Sequence, residues 1–320
     1  MQRAPRDNSP QGGVSPPPLE CPAMWKSCLV TLLAVALLGT PLRARACASC
    51  GCGDPTLTTM GTEQPFQGRL RLASQVRAWG SSSGQASVDA ESLRELRMDL
   101  SVAYAPLPWL FLSATLPLQA RMMRDVSLAR EMGWGPGDLE VGAKAFVYRD
   151  KQFSPDHLVG VLAGTRLPTS PLLHDAAGAP LSLDTQLGTG AVAPFLGLSY
   201  ETFRAQWSFL VSTTGYLPTR GYLSYRAGPS LLTTLAAQYQ PGTRWAVRLA
   251  VDGRLEGAAD RAGLQDVTDS GFIAFVSPDV LFSPGMDVVV EVGVRVPVLN
   301  LLRGNVAQTP IFQASVAYDL

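Results

Sequence analysis

Histidine is nearly absent from this chain: His157 and His174 are the only two in 320 residues. A hydrolytic site needs a nucleophile oriented by a base. Neither histidine has a serine at a strand spacing that would bring both to one rim, so no catalytic residue is assigned and an enzyme is not expected. Charge is sparse and balanced, with 26 basic and 26 acidic residues making up 16% of the chain. No basic excess is left for a nucleic-acid partner. Lysine is rarer still beyond residue 46, where Lys144 and Lys151 stand alone. Arginine takes its place, as suits charge held in a confined, paired setting. The chain also lacks a long apolar run: the longest, Cys28 to Leu38, falls well short of the roughly 20 residues a membrane helix needs.

That short run has its own meaning. Residues 1–23 are proline-rich and have no apolar period, so they are expected to be disordered or a mis-annotated extension. From Met24 the chain reads as a basic n-region, the apolar stretch and Ala44-Arg45-Ala46, the build of a signal peptide over 24–46. Cleavage there leaves Cys47, Cys50 and Cys52 at the mature end, in a cysteine-rich periplasmic arm over 47–65. Three thiols so close admit a disulfide with one left over, a thiolate site for Cu or Zn, or lipidation of Cys47. No other cofactor is implied. Covalent haem is disfavoured because Gly51, and not His, follows Cys50.

What the chain has in abundance is alternation. In Glu95 to Ala120, Leu96, Met98, Leu100, Val102 and Tyr104 alternate with charged or small residues, a row that a pleat keeps on one face and a helix scatters. Ala105 to Pro108 interrupts the row, and Leu110 to Leu118 resumes it, which makes a hairpin. Each arm has about the ten residues a tilted strand needs to cross a bilayer. The same unit recurs about as Gly68 to Trp79, Asp138 to Tyr148, His157 to Leu167, Ala191 to Tyr200, Ala205 to Thr214, Ala227 to Tyr239, Trp245 to Arg254, Gly271 to Ser277, Met286 to Val296 and Phe312 to Leu320. The fold class expected is therefore all-β, an antiparallel up-and-down transmembrane barrel of about twelve strands over 66–320.

The connections support this, because short ones (105–108, 149–155, 201–204, 240–243, 278–285) alternate with long ones (80–92, 121–137, 168–190, 215–226, 256–270, 297–310). Tight periplasmic turns and larger external loops do that in an outer-membrane barrel, and a sandwich has no reason to. A basic residue on the lipid face at mid-bilayer costs roughly 2 to 4 kcal/mol. The lumen is therefore expected to hold Arg69, Arg71, Arg77, Arg97, Asp99, Glu140, Lys144, Arg248, Asp252, Arg254, Glu291 and Arg295. Tyr104, Trp109, Tyr148, Tyr200, Trp207, Tyr239, Trp245 and Tyr318 fall near strand ends, where aromatic girdles belong.

Five glycine-weighted motifs stand out: Gly135-Pro136-Gly137-Asp138-Leu139-x-x-Gly142-x-Lys144, Gly164-Thr165-Arg166-Leu167-Pro168-Thr169, Leu187-Gly188-Thr189-Gly190, Tyr225-Arg226-x-Gly228 and Tyr239-Gln240-Pro241. In them the chain resembles bacterial outer-membrane transporter-like barrels of the phenol-degradation meta-pathway type, over about Gly68 to Leu320. The resemblance implies an outer-membrane barrel passing small, aromatic or apolar solutes. The chain departs from it in ending on Leu320 where such barrels end in an aromatic, and in carrying the cysteine arm.

The function expected is a channel or transporter-like barrel in the Gram-negative outer membrane, with lipid and a small solute as partners and the C-terminal strand as its signal to the barrel-assembly machinery. The alternative is a closed structural barrel, filled by ion pairs, that anchors a periplasmic thiol or metal-binding arm.

Overall fold

The computed structural model describes residues 67–84, 90–125, 129–152, 154–267, 270–285 and 287–320. The extension, the signal peptide, the arm with Cys47, Cys50 and Cys52, and Met286 lie outside the described residues.

Strands carry the fold. In chain order they are β1 (Leu70–Ser83), β2 (Glu91–Leu107), β3 (Leu110–Arg124), β4 (Arg130–Pro136), β5 (Leu139–Arg149) and β6 (His157–Leu167). Next come β7 (Ala193–Arg204), β8 (Trp207–Tyr216), β9 (Tyr225–Arg226), β10 (Ser230–Tyr239), β11 (Trp245–Glu256) and β12 (Ala259–Arg261). The last are β13 (Leu264–Asp266), β14 (Gly271–Phe282), β15 (Val288–Asn300), β16 (Ala307–Gln308) and β17 (Ile311–Asp319).

Among the described residues, twelve of these close a ring in the order β1, β2, β3, β5, β6, β7, β8, β10, β11, β14, β15, β17. Every neighbour is antiparallel, and β17 returns to β1 from Arg71↔Asp319 to Ala78↔Phe312. The closed antiparallel barrel expected from the alternation is present. Closure removes the two edges that long apolar strands would otherwise expose. Two wall strands are broken: β4 continues β5 beyond Gly137-Asp138 and pairs only with β3, and β16 continues β17 beyond Thr309-Pro310. Short β9, β12 and β13 make a separate three-stranded sheet at the loop end, with β12 and β13 joined through Ala262 and Gly263 at φ 55° and 91°. That is the two-residue turn with both φ positive that matches strand twist.

The pleat sorts the side chains as the cost argument requires. On β11, Ala246, Arg248, Ala250, Asp252 and Arg254 are buried, while Trp245, Val247, Leu249, Val251 and Leu255 are exposed. β1, β2 and β7 repeat the pattern. A belt of exposed Leu and Val around a ring of buried charge is the reverse of a water-soluble protein, and only hydrocarbon satisfies it. Tyr104, Trp109, Tyr148, Tyr200, Trp207, Trp245 and Tyr318, each 41 to 55% exposed, band the end with the short turns. Tyr239 joins them against Trp207, with ring centroids 4.8 Å apart.

Several details differ from the sequence reading, including strand where turns were read at 201–204 and 278–282. The stretch 121–137 is mostly strand, since β3 runs to Arg124 and β4 fills 130–136. A bulge between Phe146 and Tyr148 turns both Val147 and Tyr148 outward. On β6, whose faces the sequence left unassigned, Leu158 and Leu162 are fully buried and point inward.

Candidate functional site in the barrel interior

The charged residues expected in the lumen all line the barrel interior, and nearly all are paired. At the turn end, Arg69 and Arg71 converge on Asp319, with Arg71 Nε and Nη2 donating at 2.6 and 2.7 Å. At mid-barrel, Arg97 Nε donates to Asp99 at 2.7 Å, and Arg77 donates to the same carboxylate. Lys144 Nζ meets Glu201 at 2.6 Å, both about 2% exposed, across the intervening Gly160. A further network spans β10 to β17. Arg248 holds Asp279 at 3.1 Å and also Glu291, Gln313 donates to Asp279 at 2.7 Å, and Arg295 donates to Gln313 at 2.8 Å. Asp252 accepts from Thr234 and Ser277 at 2.8 and 2.9 Å. Arg254 pairs with Glu256, and Glu140 with Arg166, each at 3.0 Å. Each carboxylate thus gains the partner that offsets its loss of water. Because Arg71, Asp99, Lys144, Glu201, Arg248, Asp252 and Asp279 are all buried, none stands in an open water-filled bore.

The loop end is different. There a cavity of about 410 Å³ opens inside the wall, with Arg97 and Pro117, close to mid-strand on β2 and β3, as its deepest lining. Gln119 and Arg121 continue upward on β3, Ser81 stands on β1, and Tyr225, Glu256 and Arg261 close the far side. Part of its wall is the long 168–192 loop, which contributes 183–184 and 186–189. In that loop burial pushes the Asp184 carboxyl up, against the opposing pull of Arg121 and Arg261.

That loop folds inward because the glycine motifs converge on it. Asp138, in the break between β4 and β5, accepts the backbone N–H of Ser170 at 3.1 Å and of Thr189 at 3.0 Å. Gly188 lies against the same carboxylate, and a Cβ there would sit 2.4 Å from Oδ1. Gly190, at φ 67°, lies under the Tyr222 ring, whose hydroxyl donates to the Ser170 carbonyl. Thr169 joins both sides, its Oγ1 accepting from Leu139 N at 2.8 Å and donating to Gly137 O at 3.2 Å. Mid-loop, Glu131 accepts from Ser182 and Thr185, and Arg121 donates to Gln186 O.

No family model matches the chain, and no curated protein matches it. A solved outer-membrane channel from Pseudomonas putida F1 superposes with a TM-score of 0.64 at 13% identity, covering 84% of this chain and all of that one. The fold is that of an outer-membrane β-barrel. The toluene transporter of Ralstonia pickettii covers 82% of this chain and 96% of its own at 11% identity, with a TM-score of 0.40 that adds nothing to the assignment.

Sequence reasoning missed the partners in this barrel more often than the arginines. Glu95, on the polar face of β2, pairs with Arg121 at 3.0 Å. Glu201 and Asp279 fall in stretches read as turns, and Arg166 on the strand whose faces could not be told apart. Strict alternation extended by two or four residues would have found Glu201, Asp279 and Arg121. Of the histidines, His157 meets Tyr200 Oη at 2.9 Å at the turn end and His174 lies in the 168–192 loop. Among the described residues no group of three or more His, Cys, Asp or Glu is placed to hold a metal.

Proposed function

We propose that this protein is an outer-membrane channel or transporter for small solutes, exported by the 24–46 signal peptide. Its short turns and the 47–65 arm face the periplasm, its long loops face outward, and β17 is the strand read by the barrel-assembly machinery. The observation that carries the reading is the vestibule of about 410 Å³, set inside an apolar wall and floored by Arg97 and Pro117. That volume is in the range of small-molecule sites. Below the floor a solute passes only as ion pairs part. Groups of both signs let a moving ion or dipole replace a lost partner, which is how charged rings set selectivity in pores. Buried ion pairs are weak contributors to stability compared with well-packed apolar residues, so a lumen this rich in them fits passage better than scaffolding. No group is assigned a catalytic role.

The test is solute entry into liposomes containing heat-modifiable, folded protein. Swelling in isosmotic small solutes above that of empty liposomes is expected, and none at any protein load would overturn the reading. Burial of the lower lumen charges favours a second reading, a closed barrel that anchors a thiol arm. Titration of the mature chain with Cu(I) or Zn²⁺ checks it, and affinity equal to that of a Cys47→Ser, Cys50→Ser, Cys52→Ser variant would dismiss it.

A further inference from the structure

Two pairs of interior arginines each share one carboxylate: Arg69 and Arg71 share Asp319 at the turn end, and Arg77 and Arg97 share Asp99 at mid-barrel. Arg77 and Arg97 sit directly opposite one another on β1 and β2. Both donate to Asp99, and among the described residues that carboxylate is their only ionic partner. Two guanidiniums on one carboxylate leave a local excess of positive charge on β1 and β2. Like charges placed opposite on neighbouring strands repel, and burial makes an uncompensated charge costly. Gln119, in turn, sits directly opposite Arg97 on β3. It lines the vestibule and is 94% buried by its 6% exposure, and among the described residues its side-chain amide has no hydrogen-bond partner, which leaves its NH2 group to donate. Arg77 Nε is likewise buried and unpartnered. A buried, unpaired polar group in a roomy polar site points to a missing ligand. Leu187, which lies with Gln119 against Gly137, gives the same cavity an apolar side at this level, while Leu93 and Met123 stand further up β2 and β3 beyond the Glu95–Arg121 pair.

We propose that the floor of the vestibule is a binding subsite for the carboxylate of a small organic acid, held by Arg97 and the Gln119 amide over the field of Arg77. The acid's apolar body lies against Leu187. This names the solute class for the channel reading above and rests on it only for the onward route, since binding needs no passage. A carboxylate supplies the second anion that Arg77 and Arg97 lack and accepts from the Gln119 NH2 group, whereas a neutral solute leaves that local excess in place.

The experiment is ¹⁹F NMR titration of the full chain, folded in detergent, with 4-fluorobenzoate and with 4-fluorobenzyl alcohol as the neutral control. Saturable binding of the acid is expected, weakening as salt rises. Arg97→Gln leaves a neutral Arg77–Asp99 pair, so the barrel still folds and shows heat-modifiable mobility, while acid binding falls by about tenfold or more, as expected for one lost charge-assisted contact. Arg97→Lys keeps the charge and retains most of the binding. Equal binding of the alcohol, or an unchanged acid affinity in Arg97→Gln, would overturn the proposal. Conductance measured on the same samples separates the two claims. Acid binding without conductance refutes the channel and leaves the subsite, and conductance without acid binding does the opposite.

Discussion

Replacing Asp138 by alanine unlatches the 168–192 loop. Its carboxylate accepts two backbone N–H bonds, from Ser170 and Thr189, near the two ends of that loop. A hydrogen bond to a charged group is worth about 1.5 to 3 kcal/mol, so the pair contributes about 3 to 6 kcal/mol to holding the ends down. The Glu131 contacts to Ser182 and Thr185 stay in place and hold the middle. Local opening therefore rises by about a hundredfold or more, while the barrel's own ladder is untouched. Proteinase K acting on folded protein in detergent reads this as the rate of a single cut between β6 and β7. Asp138→Ala is expected to be cut about a hundredfold faster, with heat-modifiable mobility retained. Asp138→Asn keeps one acceptor and falls between. Gly188→Ala moves the same way, because its Cβ would meet Asp138 Oδ1. A cutting rate within twofold of the parent for Asp138→Ala would refute the latch.

Lys144→Met leaves Glu201 buried without its cation, which costs about 3 to 5 kcal/mol, and Lys144→Met with Glu201→Leu recovers most of it; urea unfolding in detergent measures both. Val251→Arg puts a guanidinium on the lipid side of β11 and costs about 2 to 4 kcal/mol in a bilayer, read by urea unfolding from liposomes, where Ser208→Thr near the turn end shows little change. The Asp184 carboxyl is pushed up from its ordinary value because burial disfavours its charge. The folded form therefore holds the proton more tightly, and the stability this adds to the loop is full below about pH 4 and is lost as pH rises through the raised pKa. Protection from an acid-tolerant protease falls across that window in the parent and falls less in Asp184→Asn.

The barrel was legible where a strand keeps one face apolar for its whole length. Trp245 to Arg254 needed nothing but the two-residue period, and the long and short connections fixed which end was which. β4 was not legible, because with Gly133, Gly135 and Pro136 its apolar row is only Met132 and Trp134, and the strand pairs on one side only. Arg121 and Met123 were hidden for a related reason: Arg124, on the outward parity of β3, ends the apolar row just before the strand stops. The glycine motifs were visible as motifs, but their purpose was not. Gly137, Asp138, Thr169, Gly188 and Gly190 meet only after a long loop folds back into the barrel, and no local period encodes such a contact. The vestibule is a product of the same fold-back, so its position could not be read from any one strand.

Steps of current across a planar bilayer test the central claim most directly, using protein first shown to be folded by its heat-modifiable mobility. Small, discrete conductance events are expected, with a reversal potential favouring anions under a KCl gradient and shifted toward zero in Arg97→Gln. A silent bilayer, with folded protein demonstrably inserted, would contradict the account and leave a sealed barrel in its place.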